Sequence, residues 1–412
     1  MTFREKAVWC QLACNVLALG ILLPPVGTKE SDAELRRQAL AHVESVWYQE
    51  QRLHNELRMK QKQRQRSWPS LHTTLRRSDI LQYAKFSLVY VECGLFEKAQ
   101  ELLLQVDGFL TEAVGLAHPV AIKARLFLSE TCWWLTDGDA AARLRQELLT
   151  TCQSSLGNDD VATLTVVDRL GKSMWQLGKF QRAKDLSQQA VDGFQKLYPS
   201  GHGDTYRAMT HLGLCVGKLA RFDQAIALHS GALEGLVRAE PVSEYNAHVL
   251  EVQENLAMAK LGRHRYGASQ DNDLRAAVNL QADVFSQREQ KLGKEHPLSL
   301  WAACNLARLK AACGQLADAE EMIRQRLPIA ERTLGPDHMV AFLLDCYRRQ
   351  KKTTEAGELE DMVLKGTRDI FGEGSAWEHF FIVQYTTNAR AGAEQEPQTQ
   401  DNNVLNPYDT TR

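Results

Sequence analysis

The run Gly213-Leu214-Cys215-Val216-Gly217-Lys218 is the nearest the chain comes to a phosphate-binding loop. Such a loop places four residues between its glycines, so that successive amides wrap the anion, and a Ser or Thr after the lysine to hold magnesium. Here three residues intervene and Leu219 follows the lysine. The flanking residues also read as helix, so the run is excluded as a nucleotide site. His118, His296 and His338 recur with a turn motif, without an acid or nucleophile at fixed spacing, and are expected to be turn and capping residues. His-Glu-x-x-His, Gly-x-Ser-x-Gly and Gly-x-Gly-x-x-Gly do not occur. The nine cysteines include no Cys-x-x-Cys pair, and most sit beside Leu and Ala in helical contexts. They read as reduced, buried apolar residues of a cytoplasmic protein, with no disulfide framework or zinc site. Trp133-Trp134 could offer a ligand platform, but neighbouring tryptophans on a helix point different ways, and one is expected in the core. The expectation is therefore no catalytic residue, no cofactor and no metal.

With no chemistry to position, the elements themselves become the subject. A chain of 412 residues with 44% hydrophobic residues is too long for one ordinary compact domain. Its apolar residues are mostly Leu and Ala, which favours helix over sheet. The net charge of −2 gives no general attraction to nucleic acid or anionic membrane.

Ala7 to Leu23 carries no charge and follows Arg4 and Lys6, the outline of a signal peptide. Gln11 and Asn15 stand one turn apart, no small-x-small cleavage site precedes Pro24-Pro25, and the run is short for a membrane span. It is read as a packing helix ending at the prolines. Ser31 to Glu34 has capping-box spacing and is expected to open a second helix carrying Leu35, Ala39, Leu40, Val43, Val46 and Trp47. From Gln49 to Arg66 the apolar stripe fades and six basic residues appear: Arg52, Arg58, Lys60, Lys62, Arg64 and Arg66. An RNA-binding patch would interleave aromatics, and none is present, so a solvated helix end and linker is the reading.

From Ser78 the chain repeats. A small residue recurs at Gly94, Gly138, Gly178, Ala220, Gly262 and Gly314. An alanine follows five residues later at Ala99, Ala183, Ala225 and Ala319, while the Gly138 copy departs from the pattern, with Arg143 at that place. A tight turn between paired helices asks for the small residue, and close helix packing asks for the alanine. A second marker falls between hairpins: Gly115-Leu116-Ala117-His118-Pro119, Leu156-Gly157, Leu292-Gly293-Lys294-Glu295-His296-Pro297 and Leu334-Gly335-Pro336-Asp337-His338. Its glycine is expected to end one helix in a left-handed conformation, and Pro119 and Pro297 suit the first turn of the next. The Glu244 repeat implies an insertion of about ten residues, placed at Gly267 to Asp273. The domains expected are N-terminal packing helices over 1–48, a polar basic linker over 49–77, a repeat array over 78–385 with a truncated last repeat, and a disordered tail over 386–412.

These residues resemble tetratricopeptide repeats of the long kind found in kinesin light chains; Asn305-Leu306-Ala307 before Gly314 matches that family's first helix. The Leu-Gly-x-x-His-Pro phrasing is similar to the C-terminal repeat tails of large fungal signalling ATPases of the nucleotide-switch class. The resemblance implies an all-α, right-handed superhelical solenoid of about six to seven tetratricopeptide-type hairpins whose first helices line a concave groove. Counting back from the turn residue puts Asp168, Lys172, Trp175 and Gln176 on that groove, then Arg207 and Thr210, then Trp301, Cys304 and Arg308. Lys172, Arg207 and Arg308 suggest acidic groups on a peptide or protein partner. The functional expectation is a non-catalytic interaction scaffold or adaptor, with no nucleic-acid or membrane partner. The alternative is a sensor or regulatory fragment of a nucleotide-switch protein without its ATPase, or an accessory regulator of a pathway whose enzymes are encoded elsewhere.

Overall fold

The computed structural model describes residues 3–21, 30–63, 77–135, 137–239, 247–266 and 273–333. The expectations for the Leu334 to His338 marker, the truncated repeat and the tail lie outside these residues, as does the body of the expected insertion. The chain forms two compact units, Met1–Ser173 and Met174–Arg412, and each is described by itself.

In the first unit, α1 (Phe3–Gly20), α2 (Glu30–Gln38) and α3 (Leu40–Gln63) precede the hairpins α4 (Arg77–Glu92)/α5 (Phe96–Val114) and α6 (Pro119–Trp134)/α7 (Gly138–Leu156). Helix α8 (Val161–Gln176) runs to the boundary and ends just past it. The second unit continues with α9 (Phe180–Leu197), α10 (Gly203–Lys218), α11 (Phe222–Ala239), α12 (Ala247–Arg265), α13 (Asp273–Leu292), α14 (Pro297–Ala312) and α15 (Leu316–Thr333). Among the described residues every element is a helix. Consecutive helices pack on one another within each unit, the arrangement of an all-α repeat solenoid.

The turn residues behave as their type demands. Gly94, Gly178 and Gly314 have positive φ of 73°, 72° and 82° between paired helices. Ala220 fills the same place at φ 58°, where a Cβ is strained. The glycines between hairpins differ from expectation. Gly115 (φ 81°, ψ 156°) and Gly157 (φ 88°, ψ 171°) are extended with positive φ rather than left-handed helical, a region open in practice to glycine alone. His118 and His296 are helix caps, each Nδ1 accepting from the amide two residues on, Val120 at 3.3 Å and Leu298 at 3.1 Å. His202 caps α10 in the same way, through Asp204.

Three expectations are corrected. Gly138 is the first residue of α7 and not its turn; Asp137 caps that helix by accepting from the Ala140 amide at 2.9 Å, so Ala141 takes the place of Ala99. Gly262 lies inside α12, where a Cβ would stand 2.3 Å from the Phe222 ring; it is a helix-contact glycine. Ser31 lies inside α2, which is already helical at Glu30, so the helix does not open at Ser31. Helix α3 runs through Gln63, well into the basic stretch, with Arg52 and Glu56 paired one turn apart.

The signature alanines Ala99, Ala141, Ala183, Ala225, Ala277 and Ala319 are all fully buried. Four residues later, one helical turn on, each second helix places a residue in an equally buried slot: Leu103, Arg145, Ser187, His229, Gln281 and Ile323. The outer two are apolar and the middle four are polar. Each polar one meets a neighbouring first helix. Arg145 donates to Ser129 Oγ and Ser173 Oγ, Ser187 contacts Cys215 Sγ at 3.9 Å, and Gln281 donates to Glu254. The His229 ring lies against Gly213, where a Cβ would stand 2.6 Å from Cε1. The run that imitates a phosphate loop is thus interior to α10, and its first glycine makes room for a histidine.

Candidate functional site

In the first unit the first helices α6 and α8 carry a compact ion cluster. Glu130 and Lys172 occupy equivalent places on them and pair at 2.7 Å. Glu130 also receives Arg145 at 2.8 Å and Arg169 at 3.7 Å. Arg145 has no exposed surface; besides Glu130 and the two serines it donates to the Arg169 carbonyl at 2.7 Å, so its fork of donors is well occupied. Burial would raise the Glu130 carboxyl, but Lys172, Arg169 and Arg145 hold it well below the usual carboxylate range. Burial pulls the Arg145 guanidinium down to about 10, with Glu130 opposing the shift. Lys172 also stands 3.8 Å above the Trp133 ring, and Trp134 stacks on Phe96 at 5.4 Å. Of the expected groove residues, Lys172 therefore sits in this cluster, and Asp168 lies close enough for its charge to act on Arg145; both are buried.

In the second unit a cavity of about 480 Å³ opens between the first helices α10 and α12. Asp204, Arg207 and Thr210 line one wall, His248, Glu251 and Val252 another, and Leu236 adds an apolar surface. Arg207 is bonded to Asp204, and the Thr210 hydroxyl donates to the Tyr206 carbonyl at 2.9 Å. Arg207 and Thr210, expected on the groove, line this cavity, and the opposite wall carries no expected residue.

Three of the other expected residues of this unit, Trp175, Cys304 and Arg308, make a second group with Lys218. The Lys218 ammonium lies 5.3 Å over the Trp175 ring. Its side chain reaches solvent yet is closely walled by protein. Burial, and then the like charge of Arg308, lower its pKa. Neither Lys218 nor Arg308 pairs with a carboxylate among the described residues. Burial pushes the half-buried Cys304 thiol up to about 11, Arg308 opposing and Glu254 adding to the rise. Trp301 is 48% exposed on α14, and Gln176 is half-buried at the end of α8. Sequence spacing brought Trp175, Cys304 and Arg308 to this group but passed over Lys218, which had been read only as the end of a false phosphate loop.

None of the eight cysteines within the described residues forms a disulfide, and Cys14, Cys132, Cys152 and Cys215 are buried.

The family-model match agrees with the helical-hairpin reading. Residues 299–338 match the tetratricopeptide-repeat family model. This segment holds most of α14 and all of α15. No curated protein gives a significant match. Solved structures with similar chains include the nearly identical TPR-like repeats of a kinesin-light-chain-type protein from Podosopora anserina, at 22% identity over 52% of this chain and 98% of that one, TM-score 0.39. BtubC (BKLC) from P. vanneervenii aligns at 17% identity over 50% of this chain and 81% of its own, TM-score 0.41. NprR in complex with its cognate peptide NprX aligns at 10% identity over 89% of this chain and 99% of its own, TM-score 0.49.

Proposed function

We propose that this chain is a non-catalytic adaptor that binds an extended segment of a protein partner on the first helices of its repeats. The carrying observation is the cavity between α10 and α12, where charged, hydroxyl and apolar side chains from successive first helices converge. The second group adds two cations, Lys218 and Arg308, that have no carboxylate partner among the described residues, and Trp301 is exposed on the same helix as Arg308. Two neighbouring cations in a walled surface favour acidic groups on the incoming segment. Arg207, Thr210, Trp175, Gln176, Trp301, Cys304 and Arg308 are the contacts in this reading. Asp168 and Lys172 act indirectly, by fixing the α6–α8 face. The histidines at helix starts serve the backbone as caps, which leaves the chemistry to whatever partner is bound. Thiols without disulfides among the described residues, half of them buried, fit a reducing, cytoplasmic setting.

The test is a peptide library of acidic, neutral and basic segments presented to the full chain. Arg308→Glu should weaken capture of acidic segments at least tenfold, and Arg207→Glu should weaken capture of segments that fill the cavity. Unchanged capture by both variants, with unchanged circular dichroism, overturns the assignment. Lys172→Glu is unsuitable as a probe, because it would break the Glu130 cluster and with it the unit.

A further inference from the structure

Helix α1 has two faces of opposite fate. Its inner face packs on α3 and α4 through Cys14 and Ala18, with Ile21 just past its end, all buried. Two polar ties fix it there: Gln82 Nε2 donates to Asn15 Oδ1 at 2.6 Å, and Lys85 Nζ donates to the Ala18 carbonyl at 2.6 Å. Its outer face is apolar and bare. Val8, Trp9, Leu12, Val16 and Leu19 are each between 48% and 77% exposed. No charged residue interrupts the stretch from Ala7 to Gly20.

The spacing of that outer face is regular. Trp9, Leu12, Val16 and Leu19 stand three, four and three residues apart, the a–d–a–d seam of two heptads. The flanking Ala13, Asn15 and Gly20 are small or uncharged, so a second helix can approach. A two-heptad helix is too short to associate as a free peptide. Here the helix is already held by α3 and α4, so pairing does not have to order it. Five side chains of this size at these exposures present roughly 600 Å², close to the about 800 Å² per partner of a stable interface. A monomer's largest apolar patch rarely exceeds this.

We infer that α1 is a self-association face: the Trp9–Leu12–Val16–Leu19 seam packs against the same seam of a second copy of this chain. A heptad seam is self-complementary under a two-fold axis, as an interface between identical chains must be. Val16 at a with Leu12 and Leu19 at d suits a two-stranded pairing, and Trp9 fills the other a position at the N-terminal end of the seam. A lipid surface is the rival occupant, since an apolar face with a tryptophan can lie in a membrane interface. No described helix is long and apolar enough to cross a membrane, and the basic residues of α1, Arg4 and Lys6, are confined to its first turn, so no basic rim runs along the apolar face as anionic lipid would favour. This inference is independent of the proposed partner groove.

The experiment is sedimentation equilibrium of the full chain over a hundredfold range of concentration, for the natural protein, Leu12→Glu, Val16→Glu and the control Leu104→Glu. Leu104 is 57% exposed on α5, away from the seam. The natural chain and the control should dimerise with one dissociation constant. Each seam substitution occurs twice in the dimer and should raise that constant by roughly a hundredfold or more. Circular dichroism should be unchanged, because the substituted positions face solvent in the monomer. A natural chain that stays monomeric throughout the range, or seam variants that dimerise like the control, overturns the inference. So does a monomer that co-sediments with phosphatidylcholine vesicles through Trp9, which would assign the face to lipid.

Discussion

Glu130→Gln offers the sharpest test of what holds the first unit together. The carboxylate receives Lys172 at 2.7 Å, Arg145 at 2.8 Å and Arg169 at 3.7 Å. The amide removes the negative charge with little change of shape. Arg145 then remains fully buried, with Ser129, Ser173 and the Arg169 carbonyl as its nearest acceptors. Breaking a buried pair from one side costs about 3–5 kcal/mol, because the other charge is left uncompensated. Glu130 is 24% exposed, and Lys172 keeps its contact with Trp133, so the lower end, about 3 kcal/mol, applies. The two units need not unfold together, so a single melting curve is a poor readout. Amide exchange localised to α6–α8 is better, and should speed up by roughly a hundredfold. The sign with pH follows from the direction of the shift. Glu130 is held below its ordinary value of 4.5, so its contribution is complete above that pH and is lost as pH falls through the lowered value. The natural chain and Glu130→Gln should therefore converge in strong acid. Adding Lys172→Met to Glu130→Gln should cost less than the two changes summed, since one stranded cation is removed with its partner. Exchange in α6–α8 within threefold of the natural chain at neutral pH would refute the cluster's role.

Gly213→Ala should destabilise the second unit by about 2 kcal/mol, because the new methyl meets the fully buried His229 ring and neither can yield; His229→Ser in the same chain, copying the slot occupied by Ser187, should restore most of the loss in a urea titration. His229 itself is held near 4 by burial, below the ordinary 6.5. Its neutral form is the folded one, so stability is full above pH 6.5 and falls by up to about 3 kcal/mol as pH drops to 4, a slope that His229→Gln should remove. Ala220→Gly should raise stability by about 0.5–1 kcal/mol in thermal unfolding, since it relieves a left-handed alanine. Gly157→Ala should lower stability by about 2 kcal/mol, at a φ of 88° with extended ψ that no alanine adopts without strain.

What could be read from the sequence was whatever the backbone demands locally. Gly94, Gly178 and Gly314 are required by φ, the signature alanines by helix proximity, and His118 and His296 by a bare amide at a helix start. Such constraints recur with the repeat and so announce themselves. The Gly138 and Gly262 copies misled because a glycine can also serve a helix contact, and type alone does not separate the two uses. The slot residues were hidden for another reason. Arg145 stands in the stripe Ala141, Ala142, Leu148, Leu149 and Cys152, and a charge on an apolar stripe was the available sign. Its partners Ser129, Glu130 and Ser173 come from two other helices, and no local rule names them. Asp168 and Lys172 were placed on the correct helix, but their burial depends on the same unread contacts.

The slot also limits how this chain could be cut and rejoined. Repeat arrays invite the idea that one hairpin can be deleted or duplicated without harm, since every unit has the same backbone. Here, removing the 42 residues from Gly157 through Tyr198, which carry α8 and α9, would bring Arg145 toward α10 in place of α8. It would then face Cys215 where Ser173 now accepts its proton, and the His211 backbone where Arg169 stands. A fully buried guanidinium would lose a hydroxyl acceptor and gain a weak sulfur. The middle hairpins are thus matched to their neighbours by chemistry as well as by shape, and their order along the chain is part of what the core stores.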